Sequence, residues 1–415
     1  MNRNGFFKFS IKSVCLVASA LLALASSAVT IPLTPLVTQI SAKPMVMLVA
    51  GKDHKMFNEA YNDAGDVDGD GKIDIRFKPT IVYYGLFDSG LCYTHNDKGD
   101  NTGLFKPAST TTTGKCPGKW SGNWLNYMTT SRIDALRKVL YGGYREVDST
   151  SETILRRAYI PHDAHSWGKE YTSEDVDKYL ITDYTPLPQP TANTRHFFGN
   201  LTANRSTDCS DLSNCSNMPP LLRIRQNVGD GYRIWNWASK ERPVLHDKLS
   251  SLITGENVNF PAGASAQKDR TIRVQVCTAS FHTDCKLYPN GQYKPTGLLH
   301  DYGENDAMLF GLLTGSYDKH MSGGRLRKVA SSFGDEVDST TGQLLATGKI
   351  VSTFNNLRIR GFNQSSTSSE YWKSSPYTDS AKAPTEGGAD LDTDRSVFLG
   401  TGSCREINIF SGDQT

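Results

Sequence analysis

The sequence predicts an α/β fold with large loop-rich, disulfide-stapled insertions, and three observations predict it. A short apolar run over residues 44–50, PMVMLVA, suits the centre of a sheet. Residues 123–143 repeat apolar side chains at helical spacing and close on two glycines. Cysteines recur at short separations in a chain of modest apolar content, 38%, that is plentiful in Gly, Ser, Thr, Asn and Tyr. At 415 residues the chain is long enough for two domains, or for one domain with big insertions.

The N-terminus has the pattern of a secretory signal peptide. Arg3, Lys8 and Lys12 precede an apolar run over 14–24, which closes in Ala23-Leu24-Ala25 or Ser26-Ser27-Ala28. Residues 1–28 are therefore expected to be removed, with the mature chain beginning near 26–29. The run is too short to span a bilayer, and Pro32 and Pro35 interrupt the residues after it, so no transmembrane anchor is expected after signal removal. The formal charge of +2 becomes −1 once those three basic residues leave, and no global basic field remains to attract nucleic acid.

Of the eight cysteines, Cys15 leaves with the signal. In an exported chain the short spacings predict disulfides between Cys92 and Cys116, Cys209 and Cys215, and Cys277 and Cys285. Cys404 is left over, which suggests a partner in a missing C-terminal part, a free thiol or an intermolecular bond. No Cys-x-x-Cys supports a zinc site.

Along the chain, residues 44–50 read as a buried strand and residues 80–84 as a second one. Asn123 can cap a helix bearing Leu125, Met128, Ile133, Leu136, Val139 and Leu140, which Gly142-Gly143 ends. From 184 to about 270 the texture is that of a loop-rich excursion, with Pro, Thr, Asn and Ser densest over 184–224. Residues 271–276, TIRVQV, alternate as a half-buried strand should, and 310–313 and 326–329 suggest further core elements. Residues 361–415 read as an irregular tail, and no internal repeat is found.

The chain is most explicit about its chemistry at residues 66–74, DVDGDGKID. Calcium takes about six to eight oxygens at roughly 2.3–2.6 Å, and a tight loop aims its first, third and fifth side chains inward. Asp66, Asp68 and Asp70 occupy those positions, Gly71 sits where a residue without Cβ is needed, and Lys72 would offer its backbone carbonyl. Ile73 would point into the core, and Asp74 would bind directly or through water. The twelfth position, where a bidentate acid belongs, is Phe77, so either that ligand comes from elsewhere, with Glu59 and Asp63 the nearest upstream acids, or the site is weak and keeps extra waters. The competing reading is an acidic surface turn, in which four close carboxylates would repel one another.

Other candidates read as structural. His162-x-x-His165 follows Pro161 and lacks a nearby third ligand, while Asp390, Asp392 and Asp394 lead to Arg395 where a calcium loop wants glycine. Trp120, Trp124, Trp167, Trp235, Trp237 and Trp372 suit core packing better than sugar stacking, although a secreted carbohydrate-binding protein is the alternative reading. No Gly-x-Ser-x-Gly elbow, His-Glu-x-x-His or complete phosphate loop occurs, and a non-enzymatic protein is expected.

Several blocks together resemble the N-terminal region of the PilC/PilY family of type IV pilus tip-associated adhesin and biogenesis proteins. They are Gly51-Lys52-Asp53-His54-Lys55 with Tyr61-Asn62-Asp63-Ala64, Trp120-Ser121-Gly122-Asn123-Trp124-Leu125-Asn126-Tyr127, the run from Arg132 to Leu140, and His165-Ser166-Trp167. Tyr293-Lys294-Pro295-Thr296-Gly297-Leu298, Asp301-Tyr302-Gly303 and the run from Phe310 to Tyr317 extend the likeness to about residue 360. The resemblance implies a degenerate von Willebrand factor A-like core over 43–360. It also implies a place in the periplasm, on the cell surface or at the pilus tip, and roles in adhesion, pilus assembly and twitching motility. Minor pilins of the tip complex and host or abiotic surface ligands are the implied partners. Family members carry a C-terminal β-propeller with a further calcium loop, which the 415 residues do not reach, so an N-terminal fragment is expected. The Asp-x-Ser-x-Ser that holds magnesium in A-type domains is replaced by Gly51-Lys52-Asp53-His54-Lys55, and that metal site is not carried over.

Overall fold

Two short helices meeting at a corner supply the polar groups that hold the surrounding irregular backbone. The computed structural model describes residues 43–51, 54–96, 103–160, 166–202, 220–229, 268–315, 324–357, 362–364 and 372–374. The signal segment, Cys209, Cys215, His162, His165, Trp235, Trp237, Asp390, Asp392, Asp394 and Cys404 lie outside the described residues.

In chain order the first strands are β1 (Met45–Ala50), β2 (Leu91–His95), β3 (Phe105–Thr110), β4 (Trp120–Ser121), β5 (Arg145–Asp148) and β6 (Thr153–Arg156). β7 (Trp167–Tyr171), β8 (Thr194–Thr202), β9 (Pro220–Gly229), β10 (Lys268–Thr271) and β11 (Arg273–Val276) come next. The last are β12 (Cys285–Leu287), β13 (Tyr293–Pro295), β14 (Leu309–Gly315), β15 (Gly324–Ser331), β16 (Phe362–Gln364) and β17 (Trp372–Ser374). The helices are α1 (Gly122–Thr129), α2 (Arg132–Tyr141), α3 (Glu174–Asp177), α4 (Leu298–Gly303) and α5 (Lys349–Asn356). The fold is thus mixed α/β and mostly sheet. No described helix is long and apolar enough to cross a membrane.

Three sheets carry the architecture: a six-stranded one in the order β4-β2-β3-β11-β6-β5, a four-stranded one ordered β10-β9-β8-β7, and a three-stranded one ordered β1-β14-β15. β1 pairs in parallel with β14 but lies at the sheet edge, not at its centre, with Met45 and Val49 on an exposed face and Val46, Leu48 and Ala50 packed inward. Its short apolar run is therefore half-buried. The expected loop-rich excursion contains β8 and β9, two long antiparallel strands. Nor is 271–276 a single strand. The chain changes sheets at the buried Ile272, between β10 and β11; its N–H donates to Pro220 O (2.7 Å) and its carbonyl accepts from Arg157 N (3.1 Å). Phe310 and Leu312 are core as expected, but Leu326 and Val329 on β15 are exposed while Lys328 between them is buried.

The single predicted helix is two helices. Thr130 has an extended backbone, and Ser131 opens α2 by accepting from Asp134 N, just as Ser121 opens α1 by accepting from Trp124 N. Hydroxyl side chains favour caps over helix interiors, which is why Thr-Thr-Ser at 129–131 breaks the run. Gly142 does end α2, at φ 84°, where a Cβ would fall 2.6 Å from the Pro295 backbone.

Asn123 is not the cap. It is buried, and it receives the Tyr83 N–H on Oδ1 (2.8 Å) while donating to Ile81 O (2.8 Å). One turn on, Asn126 accepts from Phe87 N (3.0 Å) and donates to Tyr83 O (2.9 Å) and Phe87 O (2.8 Å). Residues 80–84 are therefore not the expected strand, and two asparagine side chains take the place of a neighbouring ladder. Trp120, Trp124 and Trp167 are buried, the first two in an aromatic cluster with Phe105 and Phe198. The predicted disulfides Cys92–Cys116 and Cys277–Cys285 are formed.

Asn126→Ala would leave one buried N–H and two carbonyls without their partner. A loss of about 2–3 kcal/mol is expected, since each orphaned buried group costs about 1–3 kcal/mol and water rescues some of them. Denaturant unfolding measures it; an unchanged midpoint would show that the asparagine ladder does not hold this segment.

Candidate metal centre

The acidic loop is organised by its own backbone amides. Asp66 accepts from Gly69 N (2.7 Å) and Asp70 N (3.1 Å) on Oδ1 and from Gly71 N (2.8 Å) on Oδ2. Gly69 and Gly71 adopt φ of 74° and 84°, the left-handed turns that aim those amides inward. Asp74 closes the loop: its Oδ2 accepts from Val67 N (2.6 Å) and its N–H donates to Gly65 O (2.9 Å). It is only 4% exposed, and Phe77, in the twelfth position, is buried in the aromatic cluster and anchors the exit of the loop.

Asp66, Asp68 and Asp74 bring carboxylate oxygens within 4.8 Å of one another. Oxygens at roughly 2.3–2.6 Å from a common ion lie within about twice that distance of each other, so the trio fits calcium, and an all-oxygen donor set suits a hard cation. Asp70, also predicted, does not join this trio, and Lys72 is held by donating its N–H to Asp70 Oδ1 (2.8 Å). Ile73 is 60% exposed and does not reach the core. Nor do Glu59 and Asp63 supply the missing acid, because both are engaged by Lys169, Asp63 at 2.9 Å and Glu59 at 3.5 Å.

Lys78 is the residue that sequence reasoning missed. Its ammonium lies 2.9 Å from Asp68 and 3.5 Å from Asp70 and also contacts Asp74. The loop therefore carries its own cation, four residues beyond Asp74, and the mutual repulsion of the acids is offset without an ion. The signal was a lysine at the exit of an acid-rich turn, which spacing rules for calcium loops do not consider.

These contacts shift both partners. The Lys78 hydrogen bond, then the Val67 N–H, hold the Asp74 carboxyl below its usual range, and the Asp74 and Asp68 carboxylates raise Lys78 above the usual lysine range. A depressed carboxyl contributes stability that is present above its unfolded value and lost as pH falls through the folded one. The melting temperature should therefore fall on acidification below the ordinary carboxylate range near pH 4, and Asp74→Asn should flatten that part of the profile. Identical profiles for the two proteins would remove Asp74 from the account of acid stability.

Comparison with known proteins supplies the family. Residues 74–223 match the family described as PilY1 homolog, small alpha/beta domain, and residues 310–388 match PilY1 homolog, second domain. Two curated proteins of Xylella fastidiosa (strain Temecula1 / ATCC 700964) are similar, each called Type IV pilus biogenesis factor PilY1 homolog. One is 46% identical over 334 residues, covering 76% of this chain and 22% of its own length. The other is 27% identical over 240 residues, covering 55% of this chain and 17% of its own. The chain thus spans about a fifth of the length of the curated relatives it matches. No solved structure matches it. With both domain types matched in order and a relative at 46% identity, the chain belongs to the PilY1 family.

Proposed function

We propose that this protein works in type IV pilus biogenesis as a non-enzymatic, calcium-stabilised factor, exported to the periplasm, cell surface or pilus tip and acting in adhesion, pilus assembly and twitching motility. The observation that carries the pilus reading is the pair of family matches, joined to relatives named as pilus biogenesis factors. Minor pilins of the tip complex and host or abiotic surface ligands are the proposed partners. The parallel pairing of β1 with β14 supports a degenerate von Willebrand factor A-like reading of the core. Among the described residues, Trp120, Trp124 and Trp167 are buried, so these three rings do not offer the stacking platforms of a carbohydrate-binding alternative.

In this reading Asp66, Asp68 and Asp74 hold the ion, which supplies structural charge compensation rather than chemistry. Lys78 competes for two of these three carboxylates, Asp68 and Asp74, so its ammonium is expected to leave them as the ion is bound. Calcium uptake then releases a lysine side chain at the exit of the loop.

Calcium added to the metal-stripped protein should raise its melting temperature, corresponding to about 2.7 kcal/mol at a hundredfold excess over the dissociation constant. An Asp66→Ala, Asp70→Ala double variant should not respond. Lys78→Met should melt lower without calcium and respond at lower calcium concentrations. No calcium response in the parent protein would overturn the calcium reading while leaving the family-based one standing. Loss of minor-pilin co-purification from the double variant would link the loop to assembly.

A further inference from the structure

Beside the acidic loop, and separate from it, a lysine, an aspartate, a glutamate and a tyrosine meet in an arrangement that the pilus reading does not use. Lys169 lies on β7 and is only 4% exposed. Its Nζ is 2.9 Å from Asp63 Oδ1, 3.5 Å from Glu59 Oε2 and 2.6 Å from the Tyr61 carbonyl oxygen. The Tyr127 ring on α1 covers it, its centroid 4.2 Å from Nζ. The Tyr127 hydroxyl donates to the same Asp63 oxygen at 2.6 Å. Asp63 is fixed at φ 54°, a conformation that few residues besides Asn, Asp and Gly adopt, and its side chain is tied from both sides.

We propose that Lys169 and Asp63 condense to form an intramolecular amide cross-link, with Glu59 as the proton shuttle. In the step, Lys169 as the free amine attacks Cγ of Asp63 as the free acid, and the carbonyl electrons move onto the oxygen that Tyr127 holds. Glu59 takes a proton from the new C–N nitrogen and returns it to the departing hydroxyl, which leaves as water. One C–N bond forms, one C–O bond breaks, Glu59 ends as it began, and no oxidant or cofactor is needed.

Each role has a physical basis. Amine and carboxyl are already in contact, which removes the entropic barrier of a bimolecular encounter. Burial raises the Glu59 carboxyl above its usual range, opposed by Lys169 and helped by the Asp63 charge, which suits a group that takes up and returns a proton. Tyr127 is pushed well above the usual phenol range, chiefly by burial, and remains a donor to the oxygen on which negative charge develops. The link would join the segment leading into the acidic loop to the four-stranded sheet.

The test is the intact mass of the purified, folded full chain after its disulfides are reduced, compared with the mass calculated from its measured N-terminus. The expected result is a deficit of one water molecule, together with a branched proteolytic peptide joining the segments around Asp63 and Lys169. Asp63→Ala and Lys169→Ala should each restore the full mass, and Glu59→Gln should leave most of the protein unlinked. Asp63→Asn should form the same bond with loss of ammonia instead, which guards against misfolding of the alanine variants. A cooperatively melting parent protein of full mass, with residues 63 and 169 in separate peptides, would overturn the proposal and leave an ordinary buried ion pair.

Discussion

The structure depends on one constraint: buried backbone that is not in a helix or sheet must still find hydrogen-bond partners. The α1–α2 corner meets it. Asn123 and Asn126 serve residues 81–87, Asp134 accepts the Ala158 N–H (2.8 Å), and Arg137 donates to the carbonyls of Phe354 (2.6 Å) and Leu357 (2.9 Å) at the end of α5. The C-terminal end of α1 is served in return, since the Met128 carbonyl accepts from Asn200 (2.8 Å) and from the Trp167 indole (3.1 Å). One apolar cluster takes Trp124, Leu125, Tyr127 and Met128 from α1 and a second takes Ile133, Leu140 and Tyr141 from α2, so the pair of helices serves both by apolar contact as well as by directed bonds.

This constraint separates what is legible in the sequence from what is not. The helix-forming run, its end at Gly142, the two described disulfides and the acidic loop are legible because each is encoded within a few neighbouring residues. The asparagine ladder is not, because an Asn at a helix start reads first as a cap, and nothing local says that Asn123 faces backbone some forty residues earlier. The sheet switch at Ile272 is hidden for a similar reason. Alternation continues unbroken through 271–276 while the partners change on either side of one residue.

At the candidate site, Asp66, Asp68 and Asp74 converge as their spacing implies, whereas Asp70 turns toward Lys78 and Ile73 toward solvent. The lysines account for the difference. Lys78 and Lys169 each gather carboxylates that spacing alone would offer to a metal, the first within the loop and the second from Glu59 and Asp63 upstream of it. Spacing specifies which acids can meet. It does not specify which cation meets them.

The placement of β11 has a kinetic consequence. This strand lies between β3 and β6, so the six-stranded sheet exists as two separate pieces until residues 273–276 have been made. β1 likewise waits for β14, its parallel neighbour from much later in the chain. Such long-range pairings make closure slow relative to helix formation and local hairpins. The nascent chain must therefore carry open edges on β3 and β6 until residues 273–276 have been made, and this sheet closes late relative to its local hairpins.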